Sequence, residues 1–195
     1  GQPLDRVDGP LKVSGQARYA AEHPADGLLH GSVICSVIAR GRITAIDDSA
    51  ALALPGVKLV LSHLNRPPMA QDDESYEDDD AADGSPFRPL FNARIRYSGQ
   101  PVALVVADTL ELARHAGSLV RISYEQQPHA TDLREALSEA HAAPAELPKP
   151  RGDADGVIAG APLRLELEYE LPCEYHHPME PHASTVIYQA DGSLL

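Results

Sequence analysis

Residues 99–125, GQPVALVVADTLELARHAGSLVRISYE, decide the fold. The stretch reads as strand, helix, strand. Val102 to Ala107 is an unbroken apolar run, as expected of a strand covered on both faces. Asp108 can cap the helix that follows, with Glu111 at capping-box spacing. Leu112, Ala113, Ala116, Leu119 and Val120 then form one stripe of a 3.6-residue period, and Glu111, Arg114, His115 and Ser118 take the wet face. From Val120 the period changes to two. Val120, Ile122 and Tyr124 point one way, and Arg121, Ser123 and Glu125 the other. A crossover helix of this length suits a right-handed βαβ unit or a split version of it, on which the rest of the first domain packs.

Upstream, Leu28 to Ala39 is a second apolar run and reads as a central strand. Gly31 within it signals a bulge or a close backbone contact. Gly41-Arg42 turns the chain, and Ile43 to Ile46 is a short strand. Asp47 or Asp48 caps a short helix from Ser49 to Leu54, Pro55-Gly56 ends it, and Val57 to Leu61 follows as a strand. Residues 1–16 are turn-rich and read as an arm lying on the domain. Ala17 to Ala20 reads as the start of a strand.

The chain has 195 residues, room for one large domain or two small ones. With no Trp and only 5% aromatics, Val, Ile, Leu and Ala must fill the core. A net charge of -13 argues against nucleic acid and anionic membrane as partners. Eight of the 29 acids fall between Asp72 and Asp83, so the remainder is only mildly acidic. That run lies in a proline-bracketed insertion, residues 66–90, and reads as a solvated segment whose like charges repel. It lacks the D-x-D-x-D-G spacing of a calcium loop. Cys35 and Cys173 read as buried free thiols. No apolar run approaches the ~20 residues of a membrane span, and the chain reads as soluble, cytoplasmic or periplasmic.

After Glu125 a short helix is expected over Asp132 to His141, capped by Thr131 or Asp132. Residues 142–160 read as a linker rich in Pro, Gly and Ala. Leu163, Leu165, Leu167, Tyr169 and Leu171 then alternate with Arg164, Glu166, Glu168 and Glu170. This predicts a strand with one dry face and an antiparallel partner. Ser184 to Gln189 predicts another strand, and Asp191-Gly192 a hairpin turn. A second strand of three residues cannot cover that dry face, so a chain cut inside a domain is expected, with self-association as one outlet.

The densest polar constellation is Tyr175-His176-His177-Pro178-Met179-Glu180-Pro181-His182. It is not a zinc helix, because Pro178 and Pro181 forbid one. A loop metal site of His176, Glu180 and His182 stands as the alternative to a structural corner. No nucleophile elbow, phosphate loop or CxxC is present.

Several stretches resemble a known family. Residues 5–19, DRVDGPLKVSGQARY, resemble the opening of the molybdenum-binding subunit of the xanthine dehydrogenase/aldehyde oxidase family. Gly41-Arg42-Ile43, Ile46-Asp47, Pro55-Gly56-Val57 and Gly99-Gln100-Pro101-Val102-Ala103 through Tyr124-Glu125 continue the resemblance. His177-Pro178-Met179-Glu180-Pro181-His182-Ala183 is similar to the segment opening the molybdopterin-binding domain, nearest the bacterial aldehyde oxidase branch.

The resemblance implies an α+β fold: an α/β hammerhead with a mixed sheet and packed helices over residues 1–141, the linker 142–160, and a truncated β-rich start of the molybdopterin-binding domain over 161–195. It implies hydroxylation of an aldehyde or N-heterocycle with oxygen from water, at a molybdenum centre on a pterin dithiolene. Electrons leave through iron–sulfur clusters and FAD on partner subunits or domains. It places no catalytic residue and no cofactor of its own in this chain. Glu180 and His182 match family positions and read as supporting structure near the cofactor layer. The implied partners are the remainder of the molybdenum-binding subunit and the iron–sulfur and FAD subunits. An autonomous, non-catalytic module that docks on the missing cofactor domain is the alternative.

Overall fold

The computed structural model describes residues 1–69, 88–141, 151–172 and 174–195. The acidic run Asp72–Asp83, Cys173 and the first nine residues of the expected linker lie outside them. The chain divides into two units, residues 28–147 and residues 1–27 together with 148–195.

The larger unit is built on β5, Pro101–Ala107, which lies between β1, His30–Cys35, and β3, Val57–Ser62. Both neighbours run antiparallel to it. Val102, Ala103, Val105 and Ala107 are buried, which is why the strand carries no polar side chain. Leu110–Leu119 forms α3, with Ala113 and Ala116 fully buried and Glu111, Arg114, His115 and Ser118 exposed, as the stripe predicts. Its cap is Thr109 rather than Asp108: the Thr109 hydroxyl accepts from the Leu112 amide at 3.1 Å. The Asp108 carboxylate instead accepts from Lys58 Nζ at 2.8 Å, across the β3–β5 pair.

The strand after α3, β6 (Arg121–Gln126), joins a different sheet. There it pairs with β2, Gly41–Asp47, whose other neighbour is β4, Arg94–Ile95. All ladders among the described residues are antiparallel, so the expected mixed sheet is two small antiparallel ones, and β5–α3–β6 links them rather than closing a parallel βαβ unit. The alternation in β6 holds, with Ile122 and Tyr124 turned inward and Arg121, Ser123 and Glu125 outward.

β1 is an edge strand, not a central one. Its alternate residues Val33 and Cys35 are exposed, so Cys35 is an exposed free thiol and not a buried one. At Gly31 the approach is close, with an added Cβ falling 3.2 Å from Leu104 Cδ1, while the register shift lies further on, between Ile34 and Cys35. β2 begins earlier than expected because Gly41 is its first residue. Gly41 has φ 150°, and a Cβ there would stand 2.1 Å from the Glu125 carbonyl oxygen. Only glycine lets β2 enter beside β6 at this point. α2, Ser49–Leu52, starts on Asp47, whose Oδ1 accepts from the Ser49 amide at 3.1 Å and hydroxyl at 2.6 Å. Those bonds hold its carboxyl below the usual carboxylate range.

The core has two lobes. One joins Ala51, Val60, Ala103, Val105 and Ala116, so alanines let both helices approach the first sheet closely. The other joins Ile43, Ile95 and Val102 with Ile38, Ile46, Ile122 and Tyr124. Ile34 touches both. Between them sits Gln100, only 8% exposed. Its side-chain Nε2 donates to the Arg94 carbonyl at 2.9 Å, and its Oε1 accepts from the Arg96 amide at 2.8 Å. Its backbone carbonyl accepts from the Ser36 amide at 2.8 Å, and Gly99 N–H donates to the Ser36 carbonyl at 2.9 Å. One residue thus ties the ends of β1, β4 and β5.

In the smaller unit, Gly9–Val13 is a short helix, α1, where an irregular arm was expected. Pro10 opens it without losing a helical bond, and Lys12 pairs with Asp8 one turn back. Ala20–Glu22 is a turn of 3₁₀ helix rather than a strand. Asp132 caps α4, Leu133–Ala136, in the larger unit, accepting from the Arg134 and Glu135 amides at 2.8 and 3.3 Å. Within the expected linker, Asp153 caps α5, Ala154–Gly160.

The predicted strand over Leu163–Leu171 does not form. The segment has no ladder, and its five apolar side chains are exposed, Leu171 by 87%. Alternation gives a strand a face but no partner, and among the described residues none is supplied. Ser184–Gln189 is reduced likewise to one bridge, Tyr188 to Leu194, around the expected Asp191-Gly192 turn. Among the described residues of 161–195, this bridged turn is the strand pairing present where a β-rich start was expected.

Replacing Gln100 with Ala strands the Arg94 carbonyl and Arg96 amide and opens a cavity, and should cost about 2–4 kcal/mol in urea denaturation. A loss under about 0.5 kcal/mol would show that the seam closes without it. His63, just past β3, has a buried Nδ1 without a hydrogen-bond partner, and burial pushes its imidazole below the ordinary value of 6.5. The unfolded chain therefore takes up this proton first as pH falls. Stability is whole above pH 6.5 and drains as pH drops from there toward the folded value. Urea midpoints should fall across that window, and His63→Phe should flatten the slope. An unchanged slope would exclude His63 as its source.

Candidate functional site

The polar corner of residues 174–182 is shaped by its prolines. Pro178 and Pro181 each lack an amide donor and hold φ near −65°, so no helical turn can form. His177, just before Pro178, takes φ 44°, the left-handed region that histidine enters more readily than most residues. The Tyr175 and His177 rings meet tilted, with centroids 5.9 Å apart.

His176, Glu180 and His182 are all exposed. Among the described residues, no group of three or more His, Cys, Asp or Glu side chains is placed to hold a metal ion. The structure does not gather these three into a ligand set. Glu180 has a different partner. Its Oε1 accepts from the Ala20 amide at 2.8 Å, 160 residues away in sequence. Thr185 Oγ1 donates to the Ala20 carbonyl at 2.6 Å. Nearby, the Glu22 carboxylate accepts from the Tyr19 amide at 2.7 Å. Thr185 carried no signal in the sequence, since a lone threonine in an extended run is unremarkable. Gln100 stood in the family-like stretch, but nothing showed that its amide would be buried.

Chemically, the corner offers one carboxylate already engaged by a backbone amide and two imidazoles open to water. It offers no enclosed cradle of donors for the molybdenum group that the family resemblance implies, and the residues present do not fit that group.

The fold and the sequence point the same way. Residues 14–128 match the family model for the aldehyde oxidase and xanthine dehydrogenase a/b hammerhead domain. The chain belongs to this hammerhead family. The matched residues run from the arm through β6, so the two antiparallel sheets and α3 are the hammerhead. Among curated relatives, the chain is 37% identical over its whole length to the aldehyde oxidoreductase molybdenum-binding subunit PaoC of Escherichia coli (strain K12), covering 25% of that protein. It is 29% identical to the xanthine dehydrogenase molybdenum-binding subunit of Escherichia coli O157:H7, over 97% of this chain and 26% of that one. The chain thus spans about a quarter of the length of these relatives. The solved aldehyde oxidoreductase from Desulfovibrio gigas superposes with a TM-score of 0.75 over 97% of this chain and 22% of its own, at 24% identity. Among the described residues, no helix of the hammerhead chain is long and apolar enough to cross a membrane.

The dispersed corner gives a direct expectation. Elemental analysis of the purified chain should find no stoichiometric transition metal, and His176→Ala should change nothing. One tightly bound zinc per chain, lost on His176→Ala, would overturn this placement.

Proposed function

We propose that the chain is the hammerhead part of a molybdenum hydroxylase large subunit that oxidises an aldehyde or N-heterocycle with water as the oxygen source. On this reading the chain is inactive alone. The observation that carries it is similarity along all of the chain to molybdenum-binding subunits, on a chain whose residues 14–128 match the hammerhead family model. We assign residues 1–141 to the hammerhead domain and 161–195 to the start of the molybdopterin-binding domain, joined through 142–160. Glu180 and His182 act as supporting residues in that second part. The molybdopterin-type cofactor lies on other residues of the large subunit, and the iron–sulfur clusters and FAD on partner subunits or domains.

The task of the hammerhead in this reading is mechanical. Its two core lobes share Ile34, and a packed core of this kind is suited to holding a neighbouring cofactor domain in register for catalysis. The exposed apolar positions from Leu163 to Leu171 support the same reading. Each fully covered aliphatic side chain there would gain ~1.5–3 kcal/mol, which the remainder of the subunit is suited to supply.

A chimera tests the proposal. Residues 1–195 replace the matching quarter of the PaoC subunit of Escherichia coli K12. The chimera should assemble, load molybdenum and oxidise aldehydes with a dye acceptor, whereas the 195-residue chain alone should do none of these. Aldehyde oxidation by the chain alone, or a chimera that folds but never takes up molybdenum, would sink it.

A further inference from the structure

Ala20 is held from both sides by residues far along the chain. The carboxylate of Glu180 receives its amide at 2.8 Å, and the hydroxyl of Thr185 gives a proton to its carbonyl at 2.6 Å. All three residues belong to the smaller unit, and the bonds join its two separated pieces, residues 1–27 and 148–195. With its amide and its carbonyl both engaged, Ala20 has the peptide planes on either side of its Cα anchored, and neither can turn away without losing a bond. Glu22 adds a local bond by accepting from the Tyr19 amide at 2.7 Å, which fixes the turn on which Ala20 sits.

The corner is suited to presenting that carboxylate. Pro181 confines the backbone of Glu180 to extended conformations, and Pro178 rigidifies the approach. A side chain presented from a stiff backbone loses less entropy when it binds. We propose that Glu180 and Thr185 form a latch on the N-terminal arm. The purpose of the Pro-Met-Glu-Pro corner is then to hold the latch carboxylate in place, not to ligate a metal or move a proton. This assignment stands on the two bonds and is independent of the proposed catalytic parentage.

The latch makes the arm a strap with two states, closed when Ala20 is gripped and free when it is not. The Arg18–Tyr19 bond lies beside the gripped residue and is a tryptic site on an exposed segment. A protease needs several residues in extended form around the cleaved bond, so it reads the free state. Cleavage then tracks the population of that state when opening and closing are fast.

Timed trypsin digestion of the full chain, followed by mass spectrometry of the fragment ending at Arg18, measures it. Glu180→Ala and Thr185→Val should each speed this cleavage by about tenfold, as expected for loss of one bond to a fixed partner. Glu180→Gln keeps a carbonyl acceptor and should stay nearer the wild type. Cleavage after Arg114, inside α3, should be unchanged in all three variants, because it requires the larger unit to open. Equal Arg18 cleavage in wild type and Glu180→Ala overturns the latch. So does a rise at Arg18 matched by an equal rise at Arg114, which marks general unfolding. Amide exchange in the wild-type chain gives a second reading without substitution. The Ala20 amide should exchange more slowly than the neighbouring amides of the arm, and exchange at the free-peptide rate would also refute the proposal.

Discussion

The buried amide of Gln100 is the constraint on which the larger unit depends. Around Gln100 the ends of β1, β4 and β5 would otherwise leave backbone groups unpaired. Gln100 and Gly99 pair them with four bonds: two from the Gln100 side chain to Arg94 and Arg96, one from the Ser36 amide to the Gln100 carbonyl and one from the Gly99 amide to the Ser36 carbonyl. Buried polar groups of this kind bring little net stabilisation when satisfied and cost much when orphaned. Their effect is on uniqueness: β4 has only two residues and could not otherwise fix its place beside β2.

Packing on either side of the seam uses different means. On the α3 side, small side chains dominate, and a Cβ added at Gly117 would meet Ile34, Ser32 and Val105 at ordinary van der Waals distance. On the β6 side, branched side chains interleave, with Ile43, Ile95 and Val102 sealed beneath Tyr124 and Ile122. Burial pushes the Tyr124 hydroxyl above its ordinary range. Charge contributes at the margin. Arg42 Nη2 reaches Glu125 Oε2 at 2.6 Å across the β2–β6 pair, but both are more than half exposed and add little.

What the sequence revealed follows the range of the interactions involved. The helix over 110–119, the strands on each side of it and the Asp191-Gly192 turn rest on local pattern, and all are present. Which strand pairs with which is a non-local fact. Thus β6 crosses to a second sheet, β1 lies at an edge, and the two-residue β4 carries no period at all. The α3 cap alone is displaced by one residue, because Asp108 and Thr109 are both competent, and Lys58, supplied by a neighbouring strand, draws Asp108 away. The Leu163–Leu171 alternation was visible, but a strand exists only with a partner. For the polar corner, the prolines correctly excluded a helix. The true partner of Glu180 was a backbone amide at the other end of the chain, which side-chain type alone does not encode.

The closure of β2 against β6 joins residues 83 apart, as the Arg42–Glu125 pair shows. Such a ladder cannot form by zipping from a hairpin, and the loop must close before any pairing energy returns. During synthesis, β1, β2 and β3 therefore leave the ribosome well before their partners. Until Ile95 and then Gln126 appear, the Gly41 end of β2 lacks first one neighbour and then the other, and strand edges stay open to other chains.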